Sequence, residues 1–573
     1  MPQCIFDISP ENVYEYVTQL DPETLDRITS QERVCVVPVT KHWNIVYSDL
    51  PVDRDFNISG LGYLTLPRLY GLMDTTSMDA SGITAALNQP VLNVAGQGVI
   101  VGFVDTGIDY TLESFRDGAG YTRIGTIWDQ TINKSESRED DGELPEVLYG
   151  RAYTRADIND ALDYLDSGQN PYEKVPSNDV IGHGTFLAGV TAASKTKEYV
   201  GAAPQSEIAV VKLRGAKEYL RNFLLIKDEV PAYSETDIMT AVQYLVNYAD
   251  SVRKPLVILI GLGTSSGARL GVSPLSEQLD EISARKNTAV VVAMGNEANT
   301  RGHYEGKAVS DVVPDTIEIN VTGSGKGFVM ELWADTLDIL SVSITSPSGE
   351  QIPRIPARMG QSSEFSFLFE DSKVTVDYRT SGLVLGYEIV YLRFITPQTG
   401  VWKVNVYSLT NIEGAYNSWL TLQQFMSSDA FFVRSVPGTT LTGPAAAVRV
   451  ISVGAYNHVT GSDAAFSGRG YTADDRVKPE LMAPGVDVYG PAVGGQFTTK
   501  SGTSIAAAHV AGAAALLLCW GAVNGNDVNM GSNEIKLILL RGADRDRAVQ
   551  YPNPISGFGR LNLIQSFYQM RIK

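Results

Sequence analysis

Short runs of apolar, mostly β-branched residues recur along the chain, and stretches with helical periodicity separate several of them. Such runs are typical of strands in a parallel sheet that helices cover on both faces. One helical stretch covers residues 236–249. The apolar runs lie at residues 99–104, 207–213, 255–261, 288–294 and 448–455. The alternation predicts a doubly wound α/β sheet, whose ligands bind beyond the carboxyl ends of the strands.

Two further units accompany this sheet, since 573 residues exceed what one hydrophobic core usually organises. Between about residues 304 and 442 the chain changes to short alternating segments with turn residues, which predicts an inserted antiparallel β-sandwich. The first 73 residues mix helical periodicity at 11–20 with strand-like segments at 34–40 and 43–49, as in a small α/β domain. The main α/β unit is therefore expected in two parts, residues 74–303 and 443–573.

Composition excludes several classes of protein. A formal net charge of -19 argues against a nucleic-acid or anionic-membrane partner, because the summed field would repel both. The acidic start of the chain is unlike a signal peptide, so we expect cytoplasmic synthesis. The longest apolar stretch, residues 505–520, is too short to span a bilayer and predicts a buried helix. Three scattered cysteines lack metal-ligand spacing, and we expect neither metal nor cofactor.

Four residues carry the side chains that peptide hydrolysis needs: Asp105, His183, Asn296 and Ser504. Each has an ordinary structural explanation by itself, as a turn aspartate, a helix-start histidine, a turn asparagine and a capping serine. Asp105, His183 and Ser504, however, occur in the chain order of the subtilisin arrangement. Each stands at a predicted strand end or helix start that faces the same sheet edge. The combination predicts a serine-hydrolase site.

The segments around these residues, DTGID, GHGT, GNE, LMAPG and GTSIAAAHVAG, resemble the signature segments of the subtilisin (S8) family. The resemblance covers about residues 74–300 and 442–560. It implies that Ser504 is the nucleophile, His183 the general base and then acid, and Asp105 the carboxylate that fixes the imidazole tautomer. Asn296 and the backbone N–H of Ser504 would hold the oxyanion, where a helix N-terminus also favours negative charge.

Two glycine-containing segments resemble the strands that bracket an extended substrate in this family. Gly261 departs from the serine usual at its position, which leaves the rim of the first specificity pocket open. A bulge or packing glycine is the structural alternative for these small residues. We assign His509 to packing of the helix that carries Ser504. The residues expected to bind substrate are Gly261, Leu262, Gly263, Ala293 and Gly295.

A long insertion between Asn296 and Ser504, an N-terminal extra unit and no signal peptide resemble the clostridial germination (Csp) proteases within the family. The resemblance implies a jelly-roll-like insertion, a cleaved prodomain that stays bound, and a cortex-lytic zymogen as substrate in spores. Spore association or export by a non-classical route would follow. The partners are then a protein or peptide substrate and the chain's own prodomain, cut between about Gly71 and Ser77.

Two other functions deserve comparison with an active endopeptidase. A regulatory pseudoprotease or binding scaffold, as some Csp proteins are, would be expected to lose a catalytic residue. Here all four catalytic positions hold chemically competent side chains, which favours the enzyme. A protein that binds carbohydrate or a partner through its sandwich is a third hypothesis, which fold cannot decide.

Overall fold

The computed structural model describes most of the chain and places it in three units. The N-terminal unit contains a three-stranded antiparallel sheet with the order β1-β3-β2. Its strands, and a short strand that follows, are β1 (Tyr14–Thr18), β2 (Val34–Pro38), β3 (Asn44–Ser48) and β4 (Leu69–Tyr70). The described residues are 6–8, 10, 12–19, 33–40, 42–48, 65, 67–70, 77–133, 144–197, 199–335, 337–381, 386–410 and 412–570.

The prediction of helical structure at residues 11–20 is wrong, because this segment contains strand β1. Glu15 and Val17 are buried, whereas Tyr14 and Tyr16 are half-buried, so burial has the two-residue period of a strand. Pairing with β3 along its whole length satisfies the backbone and overrides the local helical pattern.

The central sheet contains eight described strands in the order β24-β23-β11-β10-β5-β8-β6-β7. Every neighbouring pair is parallel except β6 and β7 at one edge. The α/β class and the mainly parallel sheet that the sequence predicts are therefore confirmed. The strands are β5 (Ile100–Asp105), β6 (Ile124–Asp129), β7 (Arg151–Thr154), β8 (Glu207–Lys212), β10 (Leu256–Ile260), β11 (Thr288–Ala293), β23 (Ile451–Tyr456) and β24 (Leu481–Pro484), with β9 (Tyr233–Ser234) paired to β4 outside this sheet.

Helices cover both faces of the central sheet, because alternate strand residues enter two separate hydrophobic cores. Val101 and Phe103 pack with the helices His183–Ala192 and Thr503–Leu518 on one face, whereas Ile100 and Val104 pack with the helices Glu235–Val252 and Pro274–Ser283 on the other. The helices are α1 (Ile83–Leu87), α2 (Arg155–Asp166), α3 (His183–Ala192), α4 (Glu218–Phe223), α5 (Glu235–Val252), α6 (Pro274–Ser283), α7 (Thr503–Leu518), α8 (Ser532–Gly542) and α9 (Leu563–Gln569).

Helix α7 is the central helix of the protein. With the π-helical turn Cys519–Val523 that follows it, α7 is long and apolar enough to cross a membrane, but 89% of its most apolar window is buried inside the protein. Every residue of α7 is buried. A core helix of this kind places Ser504, its second residue, inside the sheet-helix interface.

The insertion consists of two antiparallel sheets that pack face to face around their own core. The six-stranded sheet has the order β12-β21-β14-β19-β18-β17, and the five-stranded sheet the order β16-β15-β20-β13-β22. The strands are β12 (His303–Lys307), β13 (Asp315–Val321), β14 (Gly327–Asp335), β15 (Leu340–Thr345), β16 (Gln351–Ile355), β17 (Ser362–Ser366), β18 (Lys373–Ser381), β19 (Tyr387–Ile395), β20 (Gly400–Ser408), β21 (Ala415–Leu420) and β22 (Ala430–Phe432). A separate hairpin joins β25 (Val488–Pro491) to β26 (Phe497–Lys500).

A fourth hydrophobic cluster joins the sandwich to the main unit. Phe223 of α4 stacks on Tyr391 of β19, with 6.3 Å between the ring centroids. The Arg393 guanidinium lies 4.4 Å from the centroid of the same Phe223 ring. Backbone pairing of Ile226 with Met426 extends the contact. The sandwich is therefore fastened to the main unit by buried apolar side chains.

Candidate active site

Asp105 is the last residue of β5 and is fully buried at the carboxyl end of the sheet. Its Oδ1 accepts a hydrogen bond from the backbone N–H of Thr106, with an N···O distance of 2.8 Å. The same oxygen lies 2.7 Å from His183 Nδ1. Because an ionised carboxylate can only accept, Nδ1 carries the imidazole proton and donates it to Asp105.

His183 is the first residue of α3, and a cap that sequence reasoning missed holds the helix start in place. Asp179 accepts hydrogen bonds from the N–H of Gly182 at 2.8 Å and from the N–H of Thr185 at 2.9 Å. Gly182 has φ of 79°, a conformation that favours glycine. An aspartate shortly before the GHGT segment is the signal that could have identified this cap.

Ser504 Oγ lies 3.2 Å from His183 Nε2, so the three side chains form one hydrogen-bonded series. The exposed fractions of Asp105, His183 and Ser504 are 0%, 3% and 0%. With Nδ1 protonated, Nε2 is the acceptor for the Ser504 hydroxyl and can take its proton as the oxygen attacks. Ser504 also lies in the first turn of α7, where backbone N–H groups lack helical partners and negative charge is favoured.

Asn296 is oriented by Thr503, the residue before Ser504. Its Oδ1 accepts hydrogen bonds from the backbone N–H and the hydroxyl of Thr503, both at 3.1 Å. Since a backbone N–H can only donate, this contact fixes which amide atom faces the helix. The Nδ2 group is left to donate to an oxyanion beside Ser504. Thr503 is a second residue that sequence reasoning missed, although it lies within the GTS segment.

The residues expected to bind substrate lie at the carboxyl ends of two neighbouring strands: Gly261, Leu262 and Gly263 follow β10, Ala293 is the last residue of β11, and Gly295 follows it. The Leu262 and Ala293 side chains are buried in the two cores, and Ala293 pairs with Val453 of β23 in the sheet. Gly295 has φ of 97°, and a Cβ at this residue would lie 2.5 Å from Thr442 Cγ2. Thr264, which follows Gly263, pairs with Gly443 through backbone hydrogen bonds of 3.0 and 2.9 Å. The segment 442–443 thus connects the ends of the two substrate-flanking segments.

Gly261 lies where any side chain would meet His183 and Ser504. A Cβ at this residue would lie 2.7 Å from Leu187 Cδ1, 3.2 Å from Ser504 Cβ and 3.3 Å from His183 Cε1. Leu187 is one turn after His183 on α3 and is 1% exposed. Its side chain therefore takes the space that a serine would need at position 261, which explains why glycine is present there.

The close packing of Gly261 against Leu187, His183 and Ser504 can be tested by substitution. We expect Gly261→Ala to lower kcat on the order of 100-fold with little change in KM, because the added methyl group displaces the imidazole from Ser504. Leu187→Val should restore part of the lost kcat in the double variant, since it removes the colliding Cδ1 atom. The measurement is kcat and KM of both single variants and the double variant. An unchanged kcat in Gly261→Ala would contradict the contact.

Two other histidines, His509 and His303, are buried away from the candidate site. His509 is buried in α7, as expected, and it also accepts a hydrogen bond from the Ser77 N–H at 2.7 Å. Its Nδ1 donates to the Ile505 carbonyl, and burial lowers the pKa of His509 to about 4. His303 stacks on Trp419 in the sandwich, and burial lowers its pKa to about 4. Within the described ranges, no group of three or more His, Cys, Asp or Glu side chains could hold a metal ion.

Comparisons with known proteins show which family and which solved structures the chain is similar to. The model of the subtilase family matches residues 96–366 and 396–559. The PII-type proteinase of Lacticaseibacillus paracasei is 23% identical over 505 residues, which are 80% of this chain and 24% of that protein. The chain therefore spans about a quarter of the length of this relative. Serine protease AprX of Bacillus subtilis (strain 168) is 34% identical over 143 residues, 22% of this chain and 30% of AprX.

A solved structure is similar over a larger share of the chain. The CspB protease of Clostridium perfringens matches with a TM-score of 0.75 and 30% sequence identity. The match covers 86% of this chain and 99% of that one. The expected resemblance to the Csp group is thereby confirmed.

Proposed function

Because the chain belongs to the subtilase family, we propose that it is a serine endopeptidase that acts through an acyl-enzyme on Ser504. The observation that carries this proposal is the buried series of hydrogen bonds from Asp105 through His183 to Ser504. A regulatory pseudoprotease would not need this series. Its presence, together with an oriented Asn296, favours the enzyme over the scaffold.

The proposed reaction uses each group in turn. Ser504 Oγ attacks the scissile carbonyl carbon while His183 Nε2 takes the hydroxyl proton, and Asp105 stabilises the imidazolium that forms. The developing oxyanion accepts hydrogen bonds from the Ser504 N–H and from Asn296 Nδ2. His183 then gives its proton to the leaving amine, which breaks the peptide bond. A water molecule hydrolyses the acyl-enzyme by the same proton transfers in reverse order.

The N-terminal unit is proposed to be a prodomain that the enzyme cuts and keeps bound. Support comes from its interface, where Trp43 and Ile45 share a hydrophobic core with Ile238 of α5. Inside this interface the Arg214 guanidinium lies 2.9 Å from Asp237 and 3.5 Å from the fully buried Glu15. Because separation would expose apolar surface and divide this charge cluster, the two pieces should stay together after a cut.

Further contacts of the same interface support this retention. Lys217 Nζ donates to the carbonyl of Val13, at 2.5 Å, and to that of Ile8, at 3.2 Å. Trp43 Nε1 donates to Glu277 at 2.6 Å. Backbone pairing of β4 with β9 brings the end of the N-terminal unit to the strand before α5. The proposed cut between Gly71 and Ser77 falls on residues 71–76, which lie outside the described residues, and ends at Ser77, which is described.

The natural substrate is proposed to be a protein zymogen, with a spore as the compartment. The support for this step is similarity to the CspB protease along almost the whole of that chain.

The activity is tested by incubating the purified protein with a peptide library and identifying cut sites by mass spectrometry. A fluorophosphonate probe, which labels activated serines, should react with Ser504 and with no other serine. Labelling of Ser504 together with defined cut sites would support the endopeptidase. Neither labelling nor cleavage would favour the scaffold.

Maturation gives a separate prediction. Intact-mass analysis of the purified wild type should show two co-purifying fragments with a junction between Gly71 and Ser77, because the enzyme cuts its own N-terminal unit. The same analysis of Ser504→Ala should show one full-length chain. A Ser504→Ala protein that is still cut in this segment would mean that another protease performs the step.

A further inference from the structure

Arg68, just before β4, occupies a cavity that none of the catalytic groups line. The cavity lies between the loop of residues 266–273, the sandwich side chains Trp333 and Tyr387, and Gly443. Arg68 is 9% exposed, and its backbone carbonyl accepts a hydrogen bond from the Glu235 N–H at 2.7 Å. The void left beside the side chain is about 30 Å³, enough for about one water molecule. Little free space therefore remains beside this buried arginine.

The cavity wall is shaped for a planar cation. Gly267, with φ of 104°, lies flat against the guanidinium: a Cβ there would be 3.4 Å from Cζ and from both terminal nitrogens of Arg68. On the sandwich side, Trp333 and Tyr387 provide aromatic surface, which interacts favourably with guanidinium groups. Any side chain at position 267 would narrow this space.

The charges around the cavity also suit a basic guest. Glu331 of the sandwich is 3% exposed, and its Oε2 accepts hydrogen bonds from the Gly267 N–H at 2.8 Å and from Trp333 Nε1 at 3.0 Å. Glu235, fully buried, lies beside the Arg68 backbone. Two further arginines lie close by: Arg269 lies over the Trp419 ring at 4.4 Å, and Arg476 donates hydrogen bonds to the carbonyls of Leu270 and Ala446. Because buried carboxylates are stabilised by nearby positive charge, an arginine side chain is favoured in this cavity.

The cavity lies on the path of a substrate. Leu69 and Tyr70, next to Arg68, pair with Ser234 and Tyr233 of β9, so the chain enters the segment of the proposed cut in extended form. The opposite wall is the continuation of the segment that starts at Gly261, beside Ser504. A peptide substrate that follows the same path would place one of its own side chains where Arg68 lies.

We propose that this cavity is a substrate subsite for an arginine several residues before the scissile bond, formed jointly by the main unit and the inserted sandwich. The inference rests on the proposed endopeptidase function. In this proposal the sandwich takes part in substrate recognition, in addition to packing against the main unit. The preferred protein substrates then carry a basic residue upstream of the cut, as the chain's own N-terminal unit does.

The test uses the self-processed protein and a quenched fluorescent peptide with the sequence of residues 65–80. Peptides with Arg68→Lys, Arg68→Leu and Arg68→Glu are compared with the original. We expect kcat/KM to fall on the order of 10- to 100-fold for the leucine and glutamate peptides and less for the lysine peptide. Because the bound N-terminal fragment competes equally with every peptide, the ratios do not depend on it.

Glu331→Gln in the enzyme should reduce the preference for arginine over leucine to within about threefold, since the amide keeps the Gly267 hydrogen bond but not the charge. Glu318→Gln is the matched control, because Glu318 is a partly exposed carboxylate of the same sandwich paired with Lys403. Equal kcat/KM for arginine and leucine peptides in the wild type would overturn the subsite and leave the endopeptidase intact. Cleavage of no peptide, without self-processing, would overturn both. If Glu331→Gln does not fold, the wild-type peptide series decides alone.

Discussion

Ser504→Ala should lower kcat by about a million-fold, because it removes the nucleophile while the other groups of the site remain. Residual turnover from the oxyanion donors and from substrate binding should still exceed the uncatalysed rate. The free energy of unfolding should fall by only about 1 kcal/mol, the net value of one hydrogen bond, here that between Ser504 and His183. Steady-state kinetics and thermal unfolding of the purified variant measure both effects.

A serine three residues earlier provides the control for this variant. Ser501 is exposed and its hydroxyl contacts Asp487, so Ser501→Ala should keep wild-type turnover. Retained turnover in Ser504→Ala would refute the assignment of the nucleophile. Equal losses in the two variants would indicate damage to the start of α7 instead of loss of the nucleophile.

Asn296→Ala should lower kcat by about 100- to 1,000-fold with little change in KM, because the lost amide donates to charge that develops only in the transition state. Its Oδ1 also holds Thr503 through two hydrogen bonds, so alanine removes an acceptor as well as a donor. Asn296→Asp separates these roles, since it keeps the acceptor oxygens and loses the donor. We expect the two variants to show similarly low kcat values.

Asn299→Ala is the control for the oxyanion variants, because Asn299 is exposed in the same loop. Its kinetic constants should match those of the wild type. A loss in Asn296→Ala confined to KM would argue that the amide binds the ground state. Recovery of turnover in Asn296→Asp would show that holding Thr503 matters more than oxyanion donation.

The sequence predicted the central sheet well because its strands are buried on both faces. The runs at 207–213, 255–261 and 288–294 agree with β8, β10 and β11 to within one residue at each end. The run at 448–455 starts three residues before β23, because Val448 is 55% exposed and lies outside the sheet. The segment of β1 was mispredicted for a different reason. Its helical pattern is a local property, whereas the strand is formed by non-local pairing with β3, which the pattern does not show.

The candidate catalytic residues could be proposed from the sequence because each lies in a strong local motif and because their order is informative. The residues that position these groups could not be predicted in the same way. Asp179, Thr503 and Leu187 act on catalytic groups through caps and packing that depend on how separate segments meet. The sequence drew attention to Gly261 but could not explain why glycine is present there, because the explanation is its contact with the side chain of Leu187.

The α/β sheet, the inserted sandwich and the candidate catalytic groups could be predicted from the sequence, because periodicity, turn chemistry and short motifs are local properties. The tertiary structure alone decided which groups meet. Arg68, Gly267 and Trp333 come from three units of the chain, and they line one cavity only after folding brings them together. Contacts between residues distant in sequence depend on the shape of the folded core, which no local pattern encodes.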